Sequence, residues 1–332
     1  MEKDHFHDSG SVNVDGSVLK CWKAGGHGDQ TFLQVLQNSC NPGFVKLGQL
    51  LGKEKLFSYI DKFGFGEKTG IDLTGEGQGI IFPLERVGNV ELATTAFGQG
   101  VSVTPIQQVT AISSVINGGY LYKPYILKSI NENITNDIIE ENYKHLVRRT
   151  ISSSTSKTMR LALESVVAKG GGKAAYIDGY RIGGKTGTAQ KAVDGHYLVN
   201  NYIMSFVGIV PSNDPEAVLY LAIDNPKDTA LLSSYTTTPI ARRILLDIID
   251  ILKIEKQQGG LDKDLEWYDK ITYEVPNVVG MKIDDAKKLL VNFEIEYSGT
   301  GEYIVSQSPE AKTKLEDKSK VRLMLGTKQV KK

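Results

Sequence analysis

Tyr180-Arg181-Ile182-Gly183-Gly184-Lys185-Thr186-Gly187-Thr188-Ala189-Gln190 is the stretch on which the architecture turns. Its aromatic start and glycine-spaced hydroxyl run read as a strand, and two more strand signals follow, Tyr202 to Val210 and Ala217 to Asp224, at hairpin-like spacing with polar turns between them. Pro239 to Ile254 then reads as a closing helix with Ile240, Ile244, Leu245 and Ile248 on one face. Helices, three sequential strands and a helix predict a layered α+β domain, an antiparallel sheet flanked by helices.

Upstream of the strands the period is helical. Ser156 to Val167 is amphipathic, and a polar, meandering stretch with Asn131 to Asn142 precedes it. Thr104-Pro105-Ile106-Gln107 is a strong helix start, with Thr at the cap, Pro at the first position and Gln three after the cap. That helix carries Ile106, Val109, Ile112 and Val115 and ends at Gly118-Gly119. Phe63-Gly64-Phe65-Gly66 opens a loop-rich region to about Gln99. Earlier still, Pro42 to Leu51 and Thr31 to Gln37 read as helices, Gly52 stopping the first of these. The first thirty residues are too rich in glycine and polar groups for a stable helix.

Downstream, Gln257-Gln258-Gly259-Gly260 marks a break. The reading is a domain over 1–255, a linker over 256–271 and a small α+β unit over 272–327, with a helix at Ile283 to Leu290 and strands at Phe293 to Tyr297 and Val321 to Leu325.

Composition narrows the class of function. With 40% hydrophobic and 23% charged residues the chain is an ordinary globular protein, and 39 basic against 39 acidic residues favour no nucleic-acid partner. No apolar run approaches a membrane span, and Met1-Glu2-Lys3-Asp4-His5 is unlike a signal peptide, so an extracytoplasmic role requires a further N-terminal segment. Cys21 and Cys40 exclude a disulfide framework. Together with His27 they form an incomplete ligand set, so no metal and no cofactor are expected.

Three short motifs can carry chemistry. Lys185-Thr186-Gly187-Thr188 offers an ammonium and two hydroxyls on a strand whose Gly permits close approach, fit to hold a substrate carboxylate; it also reads as a glycine-rich hairpin strand with a solvated Lys. Lys68-Thr69-Gly70 repeats the tripeptide where no strand is expected. Ser39-Cys40-Asn41 lies between two helices, where a hydroxyl and an amide can point into a cleft; equally, Asn41 before Pro42 reads as a helix N-cap. Acyl transfer of this type also needs a Ser-x-x-Lys at a helix start. Ser17 to Lys20 is read as strand or turn and Ser154 to Lys157 as a polar helix-cap region after the Ser-x-Asn, so neither is assigned as nucleophile.

Ser39-Cys40-Asn41, Phe63 to Leu73, Ala96-Phe97-Gly98-Gln99-Gly100, Thr104 to Gln107, Asn117-Gly118-Gly119 and Gly184 to Gln190 resemble, in this order, the class B penicillin-binding proteins over about residues 1 to 255. The tail resembles a PASTA module through Val275 to Gly280, Asp285-Ala286 and Val305-Ser306-Gln307-Ser308-Pro309, with Lys312 and Lys318 where the family usually has turn glycines. The resemblance implies an incomplete penicillin-binding transpeptidase fold and a D,D-transpeptidase that cross-links peptidoglycan stem peptides, here in spore-cortex synthesis. In that family Ser39 would assist proton transfer, Asn41 would bind the substrate amide, and Lys185, Thr186, Gly187 and Thr188 would form the strand that holds the terminal carboxylate.

The same resemblance places the nucleophilic Ser-x-x-Lys, pedestal and membrane anchor before residue 1. The full protein would then work on the outer face of the cell membrane, bind β-lactams and meet a glycosyltransferase, while this chain alone would be inactive. Loss of the nucleophile's helix should expose Phe32, Val35 and Leu36 and lower solubility. Outside the membrane lone thiols tend to oxidise, so a Cys21–Cys40 redox disulfide served by a thiol-disulfide reductase stands beside the reading of two unrelated small residues. The alternatives are a carboxypeptidase and a non-catalytic peptidoglycan-binding or scaffold protein.

Overall fold

The computed structural model describes residues 5–193, 196–227, 233–257, 272–316 and 319–327. The chain divides into two compact units, Met1–Asp264 and Leu265–Lys332. The expected linker over 256–271 falls, from residue 258 on, outside the described residues.

In the first unit β1 (His5–Asp8), the hairpin of β2 (Ser11–Val14) and β3 (Ser17–Lys20), and β4 (Gly28–Thr31) lead into α1 (Phe32–Asn38) and α2 (Asn41–Leu51). β1 pairs antiparallel with β4. Thr31 caps α1 in the reciprocal manner, its hydroxyl accepting from Gln34 N–H while the Gln34 side chain accepts from Thr31 N–H. α3 (Lys53–Lys62) follows, and α4 (Asn89–Ala96) lies inside the region read as loop. The reason for that difference is local: Glu91 accepts from Gly88 N–H at 2.9 Å, capping an eight-residue helix too short to show a period.

α5 (Pro105–Ile116) starts at Thr104 with the box and N1 proline seen in the sequence. Short strands β5 (Tyr120–Tyr122), β6 (Ser129–Asn131), β7 (Ile138–Glu141) and β8 (Leu146–Arg149) pair as β5–β8 and β6–β7, and the meandering stretch is therefore a hairpin. α6 (Ser153–Lys169) then begins at a Ser152 cap whose hydroxyl accepts from Thr155 N–H.

The sheet comprises β9 (Gly183–Val193), β10 (His196–Val210) and β11 (Ala217–Asp224), antiparallel in the order β11-β10-β9. On one face Phe206 and Val210 pack with Ala241, Leu245 and Ile249 of α7 (Ser233–Leu252); on the other Ile209 packs with Ile116 of α5 and Leu163 of α6. Helices on both faces explain why β10 reads as a nearly continuous apolar run rather than an alternation. Gly208 lets α7 come close, since a Cβ there would lie 3.1 Å from Leu245 Cδ1. Arg181 clamps Glu164 of α6 with two donors, at 2.9 and 2.6 Å, and Ser212 Oγ donates to the same carboxylate at 2.7 Å.

Two expectations are corrected. α7 begins at Ser233, six residues before Pro239, which therefore lies inside the helix and lacks the N–H for Tyr235 O. The Thr237 and Thr238 hydroxyls donate to the carbonyls of Ser233 and Ser234 in the turn before it. Val35 is fully buried rather than exposed. Gly43 faces it, at a distance where a Cβ would clash at 2.7 Å, and Phe32 packs edge-on against Phe6 at 4.5 Å.

The second unit holds β12 (Thr272–Glu274), α8 (Ile283–Leu289), β13 (Glu294–Gly299), β14 (Tyr303–Ser308), β15 (Lys314–Glu316) and β16 (Lys320–Gly326). β16 lies between β13, parallel, and β14, antiparallel. Val275, Val278, Ala286, Leu290, Phe293, Ile304, Val321 and Leu323 form its core, a fuller one than its Lys- and Glu-rich sequence suggests. Gln307 pins the preceding segment: its Oε1 accepts from Val278 N–H at 2.8 Å and its Nε2 donates to Pro276 O at 3.1 Å.

Candidate active site

Lys185 occupies β9, opposite Val207 of β10, on the strand that forms the sheet edge. Two glycines of the motif are sterically required. A Cβ on Gly184 would lie 2.4 Å from the Phe206 ring, and one on Gly187 would lie 2.6 Å from Ser205 Oγ. The Lys185 ammonium donates to Ser39 Oγ at 2.8 Å and to Thr186 O at 2.9 Å. Of its three protons this leaves one for a ligand. Burial of the ammonium lowers its pKa to about 8.

Further along, Ser233 Oγ donates to Gly187 O at 2.5 Å, and Thr188 Oγ1 lies 2.5 Å from the same hydroxyl. Ser233 has one proton, which the carbonyl takes, so Thr188 donates to Ser233. The start of α7 thereby holds the hydroxyl end of the motif. Sequence reading missed Ser233, since nothing local marks it. It also missed Tyr197, whose hydroxyl accepts from Gly100 N–H at 3.0 Å and ties the β9–β10 hairpin to the Gly98–Gly100 turn.

The Ser39-Cys40-Asn41 tripeptide sends its three side chains to different places. Ser39 ends α1 in the left-handed region, φ 52 and ψ 44, a conformation that costs a non-glycine residue about 1 kcal/mol. There its hydroxyl meets Lys185. Cys40, not Asn41, is the N-cap of α2, its sulfur accepting from Gly43 N–H at 3.4 Å. Asn41 is thus released from capping, and its Nδ2 donates to Lys20 O at 3.0 Å, tying the start of α2 to β3.

Cys21 and Cys40 are free thiols, so of the two readings left open for them the disulfide is not supported. Besides each other, the sulfurs meet two more groups: Cys40 donates to Asp8 Oδ2 at 3.2 Å, and Cys21 lies 3.3 Å from His27 Nδ1. A hydrogen bond from Cys40 holds the Cys21 thiol down at about 5, and the same shared proton pushes Cys40 up. Burial works against the Asp8 carboxylate, yet bonds from Cys21, the Gly10 N–H, His27 and Cys40 outweigh it and keep Asp8 well below the usual range. Asp8 had no part in the sequence reading.

Neither Ser-x-x-Lys joins the Lys185–Ser39 pair. Ser17 to Lys20 is strand β3, and Ser154 lies exposed in the first turn of α6 beside Ser152. The other Lys-Thr-Gly is locked in a turn, where Glu76 accepts from Thr69 N–H and Oγ1, both at 2.6 Å, and from Gly70 N–H at 3.0 Å. Among the described residues no helix is long and apolar enough to cross a membrane.

Residues 1–246 match the family model of the penicillin binding protein transpeptidase domain, and residues 273–327 match that of the PASTA domain. Stage V sporulation protein D of Bacillus subtilis is 55% identical over 325 residues, 98% of this chain and 50% of that protein. Peptidoglycan D,D-transpeptidase FtsI of Escherichia coli K12 is 31% identical over 231 residues, 69% of this chain and 37% of FtsI. Among solved structures, penicillin-binding protein 3 of Mycobacterium tuberculosis in complex with aztreonam superposes with a TM-score of 0.71 at 26% identity, covering 79% of this chain and 60% of that one. The chain therefore spans about half the length of the Bacillus relative, and less of FtsI.

Proposed function

The chain belongs to the penicillin-binding protein transpeptidase family, and on that premise we propose that it supplies the substrate-holding half of a peptidoglycan D,D-transpeptidase site. The observation that carries this reading is the Lys185–Ser39 contact on an edge strand. A stem peptide ending in D-Ala-D-Ala can add antiparallel to the outer side of β9, with its terminal carboxylate at the remaining Lys185 proton and at the Thr188 hydroxyl, whose proton turns from Ser233 to the incoming carboxylate. Thr186 and Gly187 form the backbone between them, and N–H groups near Thr188 polarise the scissile carbonyl.

A serine hydroxyl attacks that carbonyl, the terminal D-Ala leaves as the amine, and an amine of a neighbouring stem releases the acyl group as a new amide. Ser39, hydrogen-bonded to Lys185, relays the proton to the departing D-Ala, and Asn41 orients the substrate amide. Neither Ser-x-x-Lys of this chain is placed to be the nucleophile, so it comes from residues outside these 332. The reading includes domains over 1–255 and 272–327, work at the outer face of the cell membrane beside a glycosyltransferase, and β-lactam binding once the nucleophile is present. Likeness to stage V sporulation protein D supports a role in spore-cortex peptidoglycan.

Titration with a D-Ala-D-Ala pentapeptide, followed by amide chemical shifts, tests this. Saturable shifts along Lys185 to Thr188 that vanish in Lys185→Ala are expected, with no covalent labelling by fluorescent penicillin. Stoichiometric labelling of any serine in this chain overturns the division of the site, and an unresponsive β9 overturns the site itself.

A further inference from the structure

Four ligating side chains from separate segments converge behind Ser39: Asp8 at the end of β1, Cys21 and His27 of the turn before β4, and Cys40 at the cap of α2. Their ligand atoms all lie within 4.8 Å of one another. The side chains of His27 and Asp8 are 3% and 1% exposed, Cys40 is fully buried and Cys21 half-buried. We propose that this cluster is a structural zinc(II) site, with Asp8 Oδ2, Cys21 Sγ, His27 Nδ1 and Cys40 Sγ as the four ligands.

The contacts within the cluster are those of atoms facing one centre. His27 Nδ1 lies 3.0 Å from Asp8 Oδ2 and 3.3 Å from Cys21 Sγ, and Cys40 Sγ lies 3.2 Å from Asp8 Oδ2. Nδ1 bears at most one proton, which cannot serve both acceptors, whereas a divalent cation between them serves all four groups. Bonds of about 2.3 Å to sulfur and about 2.0 Å to nitrogen and oxygen give tetrahedral edges of roughly 3.3–3.8 Å, so a slight outward swing of these side chains completes the site.

The surroundings support the same reading. Each anionic ligand already accepts a backbone N–H, the second-layer bonding that orients metal ligands. Gly10 N–H donates to Asp8 Oδ1 at 2.7 Å and His27 N–H to Asp8 Oδ2 at 3.0 Å. The Gly43 N–H donates to Cys40 Sγ at 3.4 Å, and the Lys23 N–H bonds Cys21. Gly26, at φ +75, lets the two segments touch, since a Cβ there would lie 2.3 Å from Asp8 O.

Two thiolates and an imidazole select a borderline-soft ion over magnesium or calcium, and four protein ligands leave no open position, as in structural sites. Cys40 stands between Ser39 and Asn41, so the ion would brace the strained backbone that presents Ser39 to Lys185. This role is independent of peptide turnover.

The chain, purified with a phosphine reductant and reconstituted with zinc, is passed through a desalting column and its metal content read by mass spectrometry. About one zinc per chain is expected, with retention roughly 10- to 100-fold weaker in Asp8→Ala and His27→Ala. Cobalt(II) in the unaltered chain guards against variants that fail to fold. Tetrahedral ligand-field bands with sulfur-to-metal charge transfer are expected, as is protection of both thiols from alkylation by zinc, reversed by chelator. A folded, reduced chain that retains no zinc, or binds cobalt octahedrally without charge transfer, overturns the proposal.

Discussion

Lys185 Nζ donates to Ser39 Oγ across 2.8 Å, joining residues 146 positions apart in the chain. One comes from the edge of a sheet, the other from a left-handed residue between two helices. The pair is the point at which the two halves of the candidate site meet, and most of the expected behaviour follows from how it is held.

Stability should rise with pH between about 8 and 10.5 through Lys185. The folded chain releases this proton near 8, while the unfolded chain keeps it up to 10.5, so the unfolded state binds more protons within that window. Urea unfolding over a pH series should show the native chain gaining on Lys185→Met across this range. A constant difference between the two would refute the burial of the ammonium.

Ser233→Ala removes the partner of both Gly187 O and Thr188 Oγ1. A loss of about 1 kcal/mol is expected by chemical denaturation, together with weaker binding of a D-Ala-D-Ala peptide. Thr237→Val, one turn along α7, should destabilise without touching peptide binding.

Gly187→Ala should distort β9, since its Cβ would lie 2.6 Å from Ser205 Oγ. Ser205→Gly in the same chain should restore much of the loss, giving a coupling energy of about 1 kcal/mol or more in a double-mutant cycle. Additive effects would mean that the clash is not the reason for glycine.

Glu164→Ala leaves Arg181 and Ser212 without their carboxylate, and Arg181 is largely buried. A cost of about 3–5 kcal/mol is expected, read as a drop in Tm, because an unpaired buried charge remains.

Lys312 adopts φ +70 in the second unit. Lys312→Gly should relieve about 1 kcal/mol of backbone strain, partly offset by glycine's freedom in the unfolded chain, for a small net rise in Tm. A fall in Tm would show that the lysine side chain contributes more than its backbone costs. Lys318, the other departure from the turn glycines, lies outside the described residues.

Features set by neighbouring residues were legible without coordinates. The Thr104–Gln107 box, the N1 proline and the stop at Gly52 are each decided within one helical turn, and the three strands announce themselves through period and spacing. The motif order pointed to the family, and with it to Lys185 and Ser39. α4 escaped because eight residues show no clear period. α7 extends six residues upstream of the proline that marks a helix start in the sequence, because the hydroxyls of the threonines before Pro239 bond back to the first turn, a contact with no local sequence signature.

What the chain's own order of residues determined, then, is the three-stranded sheet, the longer helices packed on it, the glycines β9 needs and the family's motifs, since these depend on short-range sterics and hydrogen bonding. Only the tertiary structure decided which distant groups share a proton or a cavity. Ser233 reaches Thr188 across 45 positions, and Asp8 reaches Cys40 across 32. No local pattern encodes such contacts, because they depend on how layers pack and not on what any segment prefers. The two cysteines show the difference most clearly: compartment left a bridge open beside two unrelated thiols, whereas packing gathers both sulfurs in one cluster with the Asp8 carboxylate and the His27 imidazole.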